Sequence, residues 1–437
     1  MLHRATLLFL VAAFRFSLEF NYVHLISPLY AYQGFTNVSP SVGTSLLFGM
    51  IAALPTMWLP LKISRASDFV ILLLYLLVFI PTTVVPLRAE VVSSEALLHF
   101  LIAMLAAQFA VWAVLRNVRL DLGSRAEGKA PILAFAAIGG LLLLVVIAVF
   151  GIPTRLPTLF EVYDVRTEYK QAASSSFGRI ASYAVSWLSS VIAPAAIVFG
   201  LVKRRWTLVG AGFVISLYVY GATGFKSAAA YPIGALIAGL FLARVRTIDA
   251  ALMVGGLVAG VVSVTLVDSG MQAPVLSALL IRRVLFFPGL LSGIYVDFFT
   301  SNPPYLLSES VASALQPPVY PISAPYLIGD AFFGNPTMSA NSHFWADAFA
   351  NIRTLGVFVY SCGLAVYLVV LDAVTDAVPA GTVAGLCLPL VIGLSNSAFP
   401  TVMLTHGALL LLFVLFLLPL GSVAITGRDG ATNPNSP

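Results

Sequence analysis

Twelve times along this chain a run of about twenty apolar residues recurs with little charge inside it. The stretch ILLLYLLVFIPTTVVPL, Ile71 to Leu87, is one such run. A segment of this kind placed in lipid must satisfy every backbone N–H and C=O internally, which leaves the helix as its conformation. The runs fall at roughly 5–26, 42–61, 68–87, 96–115, 131–151, 181–202, 207–223, 228–243, 248–267, 354–371, 380–397 and 401–421. The expected fold is therefore an all-α polytopic membrane protein with about twelve transmembrane helices, forming one transmembrane domain over 1–437. Composition agrees: 59% of residues are hydrophobic and 9% charged, against about 25% charged in soluble domains. The two cysteines, Cys362 and Cys387, lie inside apolar runs, so no disulfide framework is expected.

The N-terminal MLHRATLLFLVAAF has the layout of an export signal. No small-x-small cleavage site follows, only Phe16, Leu18, Glu19 and Asn21, so it reads as a retained first span. The tail TGRDGATNPNSP reads as disordered and cytoplasmic over 422–437.

Lysine and arginine placement orients the spans. With the N-terminus cytoplasmic, thirteen cations share that side: Arg4, Lys62, Arg65, Arg116, Arg119, Arg125, Lys129, Lys203, Arg204, Arg205, Arg244, Arg246 and Arg428. Both termini are then inside, and Arg15 lies within the first span. Nine cations remain outside: Arg88, Arg155, Arg166, Lys170, Arg179, Lys226, Arg282, Arg283 and Arg353. Most of them occupy two long periplasmic loops, at 152–180 and 268–353. Snorkelling at the interface accounts for some of this charge. The sharper reading is a cationic chamber for a polyanion presented from the lipid.

In the first loop, Arg166 and Lys170 stand four apart, as do Asp164 and Glu168. On a helix they form a cationic edge beside an acidic one, suited to a phosphate and a sugar hydroxyl. In YGATGFKSAAAYP, Lys226 and Ser227 open a span on the outer side, where free N–H groups favour a phosphate oxygen. GATGFKS is not a Walker A loop, because its first glycine is misplaced.

The second loop opens with Arg282 and Arg283 ahead of VLFFPGLLSGIYVDFF. Pro288-Gly289 and Gly293 are expected to interrupt a helix there, so 284–299 reads as an interfacial or re-entrant element. Paired arginines match the bidentate geometry of a pyrophosphate, and Tyr295 of this element is a candidate substrate contact. The proline-rich segment that follows reads as a lid. It leads into SANSHFWADAFANIRTLGVF, where His343, Asp347 and Asn351 are expected along one helix face, with Asn341 just ahead. A histidine and a carboxylate there suit general-base work on a hydroxyl; helix capping is the plainer reading.

With these motifs in place the chain resembles the Wzy-type O-antigen and oligosaccharide repeat-unit polymerases. The likeness covers the layout of most of the chain and is residue-specific around 224–227, 282–299 and 341–356. It implies a metal- and cofactor-independent glycosyltransferase of the GT-C kind, in a bacterial inner membrane with its site facing the periplasm. Such an enzyme moves a growing glycan from undecaprenyl pyrophosphate to the non-reducing end of a lipid-linked repeat unit. A flippase and a chain-length regulator are the implied partners, and no nucleic acid is. The family's periplasmic arginines map onto Arg166 and onto Arg282 or Arg283, and its entry into the late span onto Asn341 through Gly356. Related ligases place Asn, Ser or Gln after their histidine, whereas His343 is followed by Phe344.

The chemistry assigned on this basis gives the pyrophosphate to Arg282 and Arg283, with Lys226 and Arg166. His343 or Asp347 serves as base, with Asp164 and Glu168 in reserve. No D-x-D motif or His/Cys cluster with metal-ligand spacing marks the outer loops, so these cations would take the place of a metal. The competing classes are an O-antigen ligase, a polysaccharide flippase or transporter, and a non-catalytic export partner. Arg15 and Glu19 are the ionisable pair inside a span that a transporter reading would use.

Overall fold

The structure is a computed structural model that describes residues 2–122, 130–153, 155–158, 161–242, 245–271, 273–308 and 317–418. Arg125, Lys129, Arg244, Arg428 and the 422–437 tail lie outside the described residues. Fifteen helical elements are followed here: α1 (Leu2–Gln33), α2 (Val42–Met57), α3 (Ala66–Ala89), α4 (Ser94–Asn117), α5 (Ala130–Phe150), α6 (Val162–Ala173), α7 (Ser176–Val202) and α8 (Trp206–Thr223). They continue with α9 (Lys226–Leu242), α10 (Ala250–Ser269), α11 (Ser277–Ser301), α12 (Ala324–Phe333), α13 (Phe344–Thr375), α14 (Ala380–Asn396) and α15 (Phe399–Leu417). Among the described residues ten helices are long and apolar enough to cross a membrane, and α2, α9 and α14 are shorter apolar ones. The chain is thus an all-α polytopic membrane protein. Its one ladder, among the described residues, pairs Lys62 with Asp249 and Ile63 with Ile248.

Short polar residues start the helices. Ser41, Ser93 and Ser175 each accept from the N–H three residues on, and Asp249 accepts from Ala251 and Leu252.

Proline is handled by one device four times. The π-helical runs Tyr22–Ile26, Tyr75–Phe79, Leu188–Ile192 and Ser277–Phe286 each end just before a residue followed by proline: Pro28, Pro81, Pro194 and Pro288. In each the residue before the proline donates five back, Ser27 to Tyr22, Ile80 to Tyr75, Ala193 to Leu188 and Phe287 to Arg282. A proline ring clashes with the carbonyl four residues earlier and offers no N–H. Widening the preceding turn moves that carbonyl aside, so the helix runs on.

This corrects the expected interruption at Pro288-Gly289. α11 is continuous from Ser277 to Ser301. Gly289 and Gly293 serve close packing instead, against Pro81 and Val85 and against Pro86 and Val91 of the α3 end.

Contacts between helix ends define two faces. At the first, Arg4 donates to the Thr56 and Leu59 carbonyls, Arg65 to that of Leu115, and Ser67 to Asp372. At the second, the Val38 N–H meets the Arg88 carbonyl, Arg166 meets Gly224, and Trp187 meets Leu404. The segments that charge placement assigned to one side thus share one end of the bundle. Both ends of α11 belong to the second face. Its first residue, Ser277, donates to Asp268 at the far end of α10, and Asn302 accepts from Arg353. α11 has the length of a span but begins and ends on one face.

α13 is two arms. Ile352 and Arg353 leave helical angles, with φ −143° and +50°, between 344–351 and 354–375. At Gly356 an added Cβ would stand 1.9 Å from the Ala348 carbonyl oxygen, so the arms are in backbone contact and the first folds back on the second. At 1.5 Å per residue the eight-residue arm puts His343 about 12 Å below the turn. The expected face through His343, Asp347 and Asn351 is corrected at its first member: His343 precedes the helix and caps it, while Asp347 and Asn351 share a face and are hydrogen-bonded. The last expected span, 401–421, is also interrupted, at Gly407 (φ +80°).

The described parts of the proline-rich segment pack on these helices. Tyr305 donates to Ile322 and Tyr320 to Pro303, and Phe332 covers Gly34.

Candidate functional site

Two cations from separate elements, Arg166 and Lys226, meet at the second face around one tyrosine, and a third, Arg283, lies within electrostatic reach. Arg166, on α6, donates through Nε to the Gly224 carbonyl at 3.2 Å. Its guanidinium lies 5.6 Å from the Phe225 ring centre and 5.9 Å from that of Tyr163. Gly224 closes α8 with φ +65°, and a Cβ there would meet the Val162 carbonyl oxygen at 2.7 Å, so only glycine lets α6 lie this close. Lys226 then opens α9 with Nζ 6.0 Å from the same Tyr163 ring. Arg283, from α11, lies within electrostatic reach of Arg166, Arg282 and Tyr163. Tyr163 itself is 65% exposed.

The charge gathered there is not neutralised within the described residues. The ion pairs among them are Arg15–Glu19 at 3.1 Å, Arg88–Glu19 at 2.5 Å and Arg155–Glu161 at 2.9 Å, none of which involves the cluster. Glu161, at the start of α6, is committed elsewhere. The Thr158 backbone N–H, then its side chain and Arg155, hold this carboxyl below the usual glutamate value. Like charges gathered in this way repel, and an anion placed among them would relieve that repulsion.

The adjacent arginines divide their roles. Arg282 turns toward α1, donating to Gln33 Oε1 at 2.6 Å with its guanidinium 4.0 Å from the Tyr30 ring centre. Its Nε is buried with no partner among the described residues. Arg283 is exposed, with its guanidinium 5.4 Å from the Phe287 ring centre and within electrostatic reach of Arg166 on α6. Asp164, Lys170 and Ser227 are also exposed, the first two on α6 and the last beside Lys226.

The remaining candidates form a second group at 339–351, which meets α11 at Tyr295, twelve residues and about 18 Å along the helix from Arg283. Tyr295 is buried in α11 and donates to the Ala340 carbonyl at 3.0 Å, which fastens this segment rather than opening toward solvent. Asn341 is exposed and accepts from Ser339. His343 is 0% exposed. Its Nδ1 accepts from the Ala346 N–H, its Nε2 is 3.4 Å from the Thr82 hydroxyl, and its ring stacks on Phe100. Both ring nitrogens are thus turned to the protein, and of the two proposed bases only Asp347 is partly exposed.

Sequence reading passed over Tyr163, Gln33 and Tyr30. Tyr163 had a signal, standing three residues before Arg166 on one helix. Gln33 and Tyr30 had none, since they reach Arg282 only through the packing of α1 on α11. Among the described residues no group of three or more His, Cys, Asp or Glu side chains is placed to hold a metal ion. The chain matches no protein-family model, no curated protein and no solved structure.

Proposed function

We propose that this protein is a membrane glycosyltransferase that polymerises lipid-linked oligosaccharides, of the GT-C kind, with its site on the periplasmic side of a bacterial inner membrane. The growing glycan leaves undecaprenyl pyrophosphate and joins the non-reducing end of a lipid-linked repeat unit, as in O-antigen, capsule or exopolysaccharide synthesis. One observation carries the reading: Arg166 and Lys226 share the Tyr163 ring with Arg283 in electrostatic reach of Arg166, and none of the three has an ion-pair partner among the described residues.

In the reaction, the acceptor hydroxyl oxygen bonds to the anomeric carbon while the bond from that carbon to the pyrophosphate oxygen breaks. The hydroxyl proton passes to Asp347, and undecaprenyl pyrophosphate departs with the electron pair. Negative charge grows on the leaving oxygen, where fixed cations stabilise the transition state more than the ground state. Arg283, Arg166 and Lys226 supply those cations. Arg282, held by Gln33 and Tyr30, adds positive potential from behind.

Reconstitution with a purified undecaprenyl-linked repeat unit tests this. The expected product is a ladder of glycans formed without nucleotide sugar. Movement of lipid across the bilayer with no new glycosidic bond would instead mark a flippase. Transfer only to a lipid A acceptor would mark a ligase.

A further inference from the structure

Asn351, the last residue of the first α13 arm, is 7% exposed and bonded on both sides. Its Nδ2 donates to the Asp347 carbonyl at 2.9 Å and to the Asp347 carboxylate Oδ2 at 3.3 Å. Its Oδ1 accepts the Leu307 N–H at 3.2 Å, and its main-chain oxygen accepts that of Leu306 at 2.8 Å. The neighbouring Tyr305 N–H goes to the Ala350 carbonyl at 2.9 Å. A turn from the long loop is thus read by the residue that also touches Asp347.

That turn is conformationally costly. Leu306 and Leu307 are consecutive left-handed residues, with φ +54° and +65°, a region that branched or bulky side chains rarely adopt. Arg353, two residues beyond Asn351, is left-handed as well, and it donates to Asn302 just ahead of the same turn. Strain of this kind persists only where the surroundings over-determine it. Here the surroundings are the hydrogen bonds to Ala350 and Asn351.

We propose that Asn351 is a positioning residue that couples the Tyr305–Ser308 turn to the Asp347 carboxylate. The job needs one donor and one acceptor on a short side chain. Aspartate at this position keeps the acceptor for Leu307 and loses the donor to Asp347. Alanine loses both. The part of the proposal in which Asp347 takes a proton rests on the polymerase reading; the physical coupling does not.

Three measurements on the full chain in lipid nanodiscs test it. Hydrogen exchange over 302–308 reads the turn, dicyclohexylcarbodiimide labelling of Asp347 reads the carboxylate, and ladder formation reads turnover. Asn351→Asp is expected to keep the protection of 302–308, to raise Asp347 labelling several-fold and to lower kcat by about 100-fold with KM little changed. Asn351→Ala is expected to lose the protection as well. Unaltered Asp347 labelling in both variants overturns the coupling to the carboxylate, and unaltered protection in Asn351→Ala overturns the coupling to the turn. A wild-type chain that makes no ladder counts against the polymerase reading alone, because labelling and exchange still decide the coupling.

Discussion

Trp345 donates its indole N–H to the hydroxyl of Ser361, sixteen residues on, at 2.9 Å. In a straight helix those residues stand about 24 Å apart. The bond therefore marks an αα-hairpin in which the first α13 arm lies antiparallel to the second, and at Gly356 the two backbones are in contact. Replacing Gly356 with alanine puts a Cβ against a carbonyl that has no room to yield. Gly356→Ala is expected to destabilise the protein by about 1–3 kcal/mol or to abolish folding. Thermal unfolding in detergent, with membrane levels as a control, measures this.

The two arginines of α11 should separate in their effects. Arg283→Gln removes a cation facing the open side of the site, and turnover is expected to fall by the equivalent of about 2.7–4 kcal/mol. Arg282→Gln and Gln33→Ala disturb a buried contact instead, so stability should suffer along with activity. Equal melting temperatures for Arg282→Gln and wild type, with activity lost only in that variant, would reverse the assignment.

Glu19 bridges Arg15 and Arg88, and all three side chains are less than one fifth exposed. Removing the shared carboxylate leaves two guanidinium groups in the bundle without their counter-charge. Glu19→Gln is expected to cost about 3–5 kcal/mol, read as lost folded yield and a lowered melting temperature. A double change of Arg15 and Glu19 to apolar residues should recover part of it, since one guanidinium instead of two is then left without its counter-charge.

His343 separates a cap from a base. Asparagine at this position still accepts the Ala346 N–H, whereas alanine forfeits about 1 kcal/mol of capping and leaves a cavity beside Phe100. His343→Asn is expected to keep most of the polymerising activity and His343→Ala to lose stability. Complete inactivity of a stably folded His343→Asn would return the imidazole to the catalytic step.

How much of this was legible in the sequence follows from range. Each apolar run carries its own burial signal, so the all-α membrane class was legible, while the count was not: among the described residues ten helices are long enough to cross and three more are shorter. Arg166, Lys226 and Arg283 were legible as candidates because charge placement sets them on the side opposite most of the chain's cations. The fold-back at Ile352–Arg353 was not, since FANIRTLG continues a good helical pattern, and only the Ala348–Gly356 approach reverses it. His343 looked like a helix-face residue for the same reason: spacing four apart is evidence only after the helix start is known. The Gln33–Arg282 bond spans 249 residues and leaves no local trace.

A turn closed five residues on, rather than four, holds one residue more, and each π run before a proline therefore resets the phase of everything that follows it. In α11 this run contains both arginines. Deleting one residue between Ser277 and Ile281 would slide Arg283 into the slot beside Gln33 and Tyr30 and turn Val284 toward α6. The widened turn that accommodates Pro288 is thus also an indexing device: it selects which of two identical side chains is held by Gln33 and Tyr30.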